Sequence, residues 1–321
     1  MPQIFESLPG MEVPVGDIAR GFTRLWADTD AQEMKAMQCN LVLHFGLNTT
    51  SEDATEQFRI ASRFAQRYPS RVVVLCPLRE ETAKLELRAK IYGECFLGKS
   101  KGDTRCIEFV ALSYPPAARA YLQDQVSVCL SADLPMYYWA HRFTSSQRLA
   151  AYHYLLTRAQ RVLFDSALVP ADAFTYPWPK LAAVRDLAYT RTLPLRQNIG
   201  QFLSRYDPAL IAGGLRKITL RHRAEFAAEG NGILAWLRKG LARSGAGGER
   251  GIDFEVTSAD CPGSFKLEFI YAGPPQIFRW EVDLARDLAI FEGDLGTGRS
   301  MLTVGAHLLA PEMALGEAMF F

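Results

Sequence analysis

The strongest constraint on the fold is a strand–helix–strand succession between residues 39 and 76. CNLVLHFG (39–46) is a short apolar run rich in β-formers. Ser51 then stands where a helix N-cap would, and Phe58, Ala61, Phe64 and Ala65 recur at helical spacing over 52–67. Tyr68-Pro69 ends that helix, because the residue before proline avoids the α region. RVVVLC (71–76) is apolar at every position after Arg71, the pattern of a strand covered on both faces. Two strands joined through one helix lie parallel, with the helix packed on the sheet. The first part of the chain therefore reads as α/β.

The remaining segments extend this reading. Residues 85–96 and 105–113 alternate on either side of Gly98-Lys99-Ser100-Lys101-Gly102-Asp103, which predicts a hairpin. A helix is predicted at about 116–126, a strand near 126–131, a helix at 145–158 and a strand at 161–166. Another helix follows at 194–205, entered through Pro194. Past Asp207-Pro208 the character changes. LRKITLRH (215–222) is strand-like, and residues 229–243 carry Ile233, Leu234, Trp236, Leu237 and Leu241 on one face. Strands are predicted at 252–257, 265–272, 276–283 and 287–292, with a terminal helix near 301–319. The expected class is a two-domain α/β protein with a partly parallel mixed sheet and flanking helices. Its N-terminal α/β domain would span 1–210, and a smaller α+β domain 211–321.

Composition narrows the function classes. Of 321 residues, 36 are Lys or Arg and 35 are Asp or Glu, a formal charge of +1, which disfavours nucleic acid or an acidic membrane surface as partner. Hydrophobic residues at 49% and charged residues at 22% allow a sizeable core and exclude global disorder. MPQIFESLPGMEVPVG lacks the basic and apolar regions of a signal peptide. No apolar run approaches the roughly 18 residues of a membrane span. With thiols this sparse, the expected location is the cytoplasm. Six cysteines and five histidines show neither C-x-x-C nor H-x-x-x-H spacing, so no metal or other cofactor is expected.

One enzymatic motif is present by letter. Gly93–Ser100 fits G-x-x-x-x-G-K-[ST], which would place Lys99 and Ser100 on a nucleotide's phosphates and magnesium, with Asp165 ending a Walker B-like strand. Such a loop works by opening a helix whose N-terminus faces the anion. Here the sequel, KGDTRCIEFVALSY, is β-rich. A phosphate-binding or nucleotide-hydrolysing enzyme is thus the alternative reading, and a helix or a strand after Ser100 decides it. No other catalytic constellation is evident.

Several blocks in order carry a resemblance: YPSRVVVL (68–75), CIEFV (106–110), ADLPMYYWA (132–140), RVLFDS (161–166), RDLAYTRTLPLRQNIGQFL (185–203) and ILAWLRKGL (233–241). Together they resemble the OpcA family, the glucose-6-phosphate dehydrogenase assembly proteins of bacteria. Pro69, Arg71, Asp133, Pro135, Trp139, Asp165, Ser166, Asp186, Arg191 and Arg196 match the family pattern. Tyr68 replaces its usual His, while Tyr138, Tyr189 and Leu195 stand where it usually has Trp. The resemblance implies a non-catalytic protein that binds glucose-6-phosphate dehydrogenase and promotes its active oligomer, in support of the oxidative pentose phosphate pathway. Tyr137, Tyr138, Trp139, Tyr189, Arg191 and Arg196 are the candidate contacts, since aromatics and Arg dominate interface hot spots. Pro69, Arg71, Asp133, Pro135, Asp165, Ser166 and Asp186 are the candidate structural positions.

Hairpin geometry adds one expectation. With the turn centred between Ser100 and Lys101, Cys95 and Cys106 fall opposite each other, within disulfide reach. They are either two reduced thiols or a reversible bond suited to redox regulation.

Overall fold

The computed structural model describes residues 4–27, 37–79, 86–97, 104–243, 251–258, 263–273 and 276–321. They form two compact units, Met1–Leu187 with Pro311–Phe321, and Ala188–Ala310. The change at Leu187 precedes the 210/211 boundary read from the sequence, and the last helix belongs to the first unit.

The first unit runs α1 (Ile4–Ser7), β1 (Met11–Val13), α2 (Ile18–Leu25), β2 (Cys39–Phe45), α3 (Ser51–Arg67) and β3 (Ser70–Pro77). It continues with β4 (Arg88–Leu97), β5 (Thr104–Tyr114), α4 (Arg119–Cys129), β6 (Met136–His141), α5 (His153–Arg158), β7 (Arg161–Phe164) and β8 (Val184–Asp186). Its sheet has the order β1-β4-β5-β3-β2-β6-β7-β8. From β5 to β8 every neighbouring pair is parallel, whereas β4 and β1 add antiparallel at one edge. Both faces are covered, so β2 and β6 are buried at every residue. One face carries Val42, Val73, Val110 and Tyr138 against Phe22, Leu122, Val126 and Leu155. The other carries Leu41, Leu43, Val74, Phe109 and Trp139 against Phe58 and Phe64 of α3.

Two sequence expectations need correction here. The strand near 126–131 is the last turn of α4, because Leu122 and Val126, one helical turn apart, are both buried in the core. The strand lies further on, at Met136–His141. Ile18, Phe22, Leu25 and Trp26 at helical spacing predict a helix over 17–37, but it stops at Leu25, with residues 28–36 outside the described residues. The hairpin has the expected register, with Cys95 opposite Cys106 and Arg88 opposite Ser113.

The second unit contains α6 (Leu187–Arg191), which begins at the boundary, α7 (Leu193–Leu203), α8 (Pro208–Ala212), β9 (Leu215–His222) and α9 (Ala227–Arg243). Then come β10 (Asp253–Ser258), β11 (Phe265–Tyr271), β12 (Ile277–Asp283), β13 (Leu288–Asp294) and β14 (Ser300–Gly305). The sheet order is β10-β9-β11-β12-β13-β14, antiparallel except between β10 and β9. Leu267, Phe278, Trp280 and Phe291 project from one face onto Ile199 and Phe202 of α7 and Ile233 and Leu237 of α9. Each such aromatic stabilises by roughly 1.5–3 kcal/mol on burial.

The terminal helix α10 spans only Pro311–Phe320, and residues 301–305 of the expected helix instead belong to β14. Their burial alternates and they pair in register with β13, so tertiary pairing overrides the local helical pattern. α10 packs on α3 within the first unit.

Candidate functional site

The parallel strands place their carboxyl ends together, and chain order reverses between β2 and β6: β3 and β5 lie to one side of β2, and β6, β7 and β8 to the other. In open α/β sheets the crevice at such a reversal is where ligands bind. Gly46 closes the end of β2 against β6. Its N–H donates to the His141 carbonyl at 2.6 Å, and a Cβ there would lie 2.1 Å from the Arg142 carbonyl oxygen.

The N-terminus of α3 opens on one face of this crevice and is occupied by the protein's own groups. The Thr50 side chain accepts from the Asp53 N–H, and Asp53 Oδ2 lies 2.8 Å from His141 Nε2 and 2.6 Å from Arg142 Nε. Burial alone would raise the Asp53 pKa, but the His141 hydrogen bond and charge, with Gln57 and Arg142, hold it below the ordinary aspartate value.

On the other face a cavity of about 300 Å³ remains, lined by the ends of β2, β3 and β5 and by residues 143–152. Its floor is a hydrogen-bonded chain. His44 Nδ1 lies 2.7 Å from the Tyr138 hydroxyl, His44 Nε2 2.7 Å from that of Tyr114, and the Tyr114 hydroxyl 2.7 Å from that of Tyr152. Burial, reinforced by the Arg119 charge, pushes the His44 pKa down to about 3, so the imidazole is neutral. Burial likewise drives Tyr114 and Tyr138 upward and keeps their hydroxyls protonated. Arg119 and Arg148 also line the cavity. Of these residues only Tyr138 figures among the sequence candidates, and there as a partner contact. The signal was there in His44, the one titratable imidazole in the largely apolar run 39–46.

The predicted contact residues fall into two groups. Tyr137, Tyr138 and Trp139 are buried on β6, a central strand between β2 and β7, which corrects the expectation that they form a surface anchor. Anchors must be reachable, and both faces of this strand are covered. The other three are half-buried, in the second unit. Arg191 pairs with the buried Glu229, its Nε 2.6 Å from Oε1. Arg196 stacks over the Tyr189 ring at 3.9 Å, and its Nη1 donates to the Tyr189 hydroxyl at 2.8 Å.

The motif residues tie strand ends together. Arg71 donates through Nε to Glu108 Oε2 at 3.0 Å, across neighbouring β3 and β5, while Trp26 Nε1 donates to Oε1 at 3.0 Å. The Pro69 carbonyl accepts from the Gln38 N–H at 2.7 Å. Asp133 and Pro135 lie exposed in the turn entering β6, which Asn40 fastens through the Ser131 and Leu134 carbonyls. At the ends of β7 and β8, Ser166 donates from N and Oγ to the Asp186 carboxylate at 3.0 and 2.7 Å. Asp165 Oδ1 accepts from the Ala167 N–H at 3.0 Å, closing its own turn.

The nucleotide-hydrolysis alternative loses its context. Lys99 and Ser100 lie outside the described residues, but the chain resumes at Thr104 as β5, antiparallel to the β4 strand that carries Gly93. A strand stands where a phosphate loop needs a helix. Among the described residues no three His, Cys, Asp or Glu side chains gather as metal ligands, and no helix is long and apolar enough to cross a membrane.

Cys95 and Cys106 are joined by a disulfide, with their Cα atoms 4.0 Å apart. Cys95 is exposed and Cys106 buried.

Residues 61–183, which lie in the first unit and include β3 to β7, match the family described as glucose-6-phosphate dehydrogenase subunit N-terminal domain. Over these residues, a little more than a third of the sequence, the chain is similar to the OpcA family. The family's name ties it to glucose-6-phosphate dehydrogenase assembly. No curated protein matches the chain. The match encloses Arg71, Asp133, Pro135, Asp165 and Ser166.

Proposed function

We propose that this protein acts in the cytoplasm as a non-catalytic assembly partner of glucose-6-phosphate dehydrogenase, binding the dehydrogenase and favouring its active oligomer. The observation that carries this reading is the family match over residues 61–183. An assembly factor of this kind works by binding the competent state more tightly than the other. With the β6 aromatics in the core, the candidate contacts reduce to Tyr189, Arg191 and Arg196.

The test is co-purification with the same organism's dehydrogenase, followed by activity assays with and without this protein. A stable complex with raised kcat or lowered KM is expected, and Arg196→Ala is expected to weaken it. No complex and no kinetic change would overturn the reading.

The Cys95–Cys106 disulfide adds a regulatory side to the same proposal. A dithiol reductant would attack the exposed Cys95 sulfur and release the Cys106 thiolate. The reductant becomes the disulfide as two electrons pass to the protein. Burial raises Cys39 and Cys129 to about 11, and Cys76 also upward, so these thiols stay inert. Differential alkylation before and after reduction is expected to label Cys95, and complex stability is expected to differ between the two states. Equal stability would remove the switch while leaving the assembly role in place.

A further inference from the structure

We propose that the cavity at the carboxyl ends of β2, β3 and β5 binds a small phosphomonoester, its anionic group held by Arg119 and Arg148. This inference stands on the cavity alone and does not require the dehydrogenase.

Position comes first. The cavity sits beside the reversal of strand order, where the sheet leaves a crevice. The anion position more usual for such a sheet, the N-terminus of the first crossover helix, is filled by Asp53 in α3. An anion is therefore excluded from the α3 face and directed to the opposite one.

Charge comes second. Two guanidinium groups line the cavity, and no carboxylate does. Neither Arg119 nor Arg148 forms an ion pair among the described residues. Arg119 is the first residue of α4 and lies with its guanidinium 5.7 Å from the Tyr152 ring centroid. Its Nε is shut off from solvent and has no hydrogen-bond partner among the described residues. A buried charged donor left unpaired is costly, and a bound oxyanion would satisfy it. A phosphomonoester carries close to two negative charges at neutral pH, matching two arginines better than a single carboxylate does.

Shape and polarity point the same way. A volume of about 300 Å³ suits one phosphorylated sugar or mononucleotide rather than a dinucleotide. Leu47, Leu78 and Phe143 supply an apolar wall for the ligand's carbon skeleton. The floor can also donate. With His44 neutral, one proton order runs from the Tyr138 hydroxyl to Nδ1, from Nε2–H to Tyr114, and from the Tyr114 hydroxyl to Tyr152. That order leaves the Tyr152 proton uncommitted, on a residue lining the cavity. An anion would select it over the reverse order, which presents only an acceptor.

The test is isothermal titration calorimetry on the full chain with inorganic phosphate, ribose 5-phosphate and AMP, and with ribose as the neutral control. Saturable binding of ribose 5-phosphate, AMP or both is expected, with none for ribose. Binding of ribose 5-phosphate alone assigns a sugar phosphate, and binding of AMP alone a mononucleotide. Arg119→Gln is expected to weaken binding about tenfold or more, because it removes a charged donor from a partly buried site. Arg148→Gln, at an exposed position that cannot disturb the core, is expected to weaken it about threefold. No binding of either organic phosphate at millimolar concentration would overturn the proposal. So would affinity unchanged in the folded Arg148→Gln variant and in an Arg119→Gln variant shown to be folded by circular dichroism.

Discussion

The two sheets solve the same burial problem in opposite ways. In the first unit, helices cover both faces and β2 is buried at all seven positions, with apolar side chains of both parities and its two polar ones, Asn40 and His44, hydrogen-bonded. In the second unit one face is covered, and β12 and β13 alternate between buried and open positions. The open face carries an ion-pair lattice in which Lys266 reaches Glu281 at 3.0 Å and Arg279 reaches Glu268 at 3.1 Å. A sheet buried on both sides must satisfy charge internally and exactingly, as Arg71 and Glu108 do. A sheet with one wet face can leave it to solvent.

Four substitutions bear on this contrast. The largest effect is expected for Phe291→Ala, whose ring stacks on Phe202 at 4.8 Å in the single covered face of the second unit. A loss of about 3–5 kcal/mol is expected in denaturant unfolding, from transfer and cavity terms together. A loss under about 1 kcal/mol would show that this face is not the unit's core.

Next is Arg71→Ala, which leaves the almost wholly buried Glu108 carboxylate without its guanidinium. About 3 kcal/mol is expected. Glu108→Gln should cost less, because Arg71 keeps 26% of its side chain exposed and can rehydrate. Equal losses in the two variants would contradict the burial asymmetry. The smallest effect belongs to Lys266→Ala on the wet face, expected within about 0.5 kcal/mol and diminished by salt. A cost near that of Arg71→Ala would erase the distinction between the two sheets.

Legibility in the sequence followed the same division. The βαβ run at 39–76 and the hairpin register through Cys95 and Cys106 were readable because local periodicity and turn position determine them. The strands of the second unit were readable from alternation, except β14, which reads locally as the start of a helix and acquires strand structure by pairing with β13. The site was harder. Tyr137, Tyr138 and Trp139 look like interface aromatics in a linear string, and only the central place of β6 shows them to be core. His44, Tyr114, Arg119 and Tyr152 are scattered along the chain, so their convergence is a property of strand order that no spacing rule encodes.

The last helix has a consequence for how the molecule comes into being. α10 lays Leu315 and Met319 into the core that Phe64 helps build, and Phe320 sits 4.8 Å from the Tyr68 ring and 5.6 Å from that of Tyr137. Gly316 lets it approach, since a Cβ there would come within 3.0 Å of Tyr68. On the ribosome, where domains generally fold in the order they emerge, α3 must wait through all of residues 188–310 for this covering. The first unit begun is the last to be finished, and for that interval its apolar flank is a surface that a chaperone would recognise.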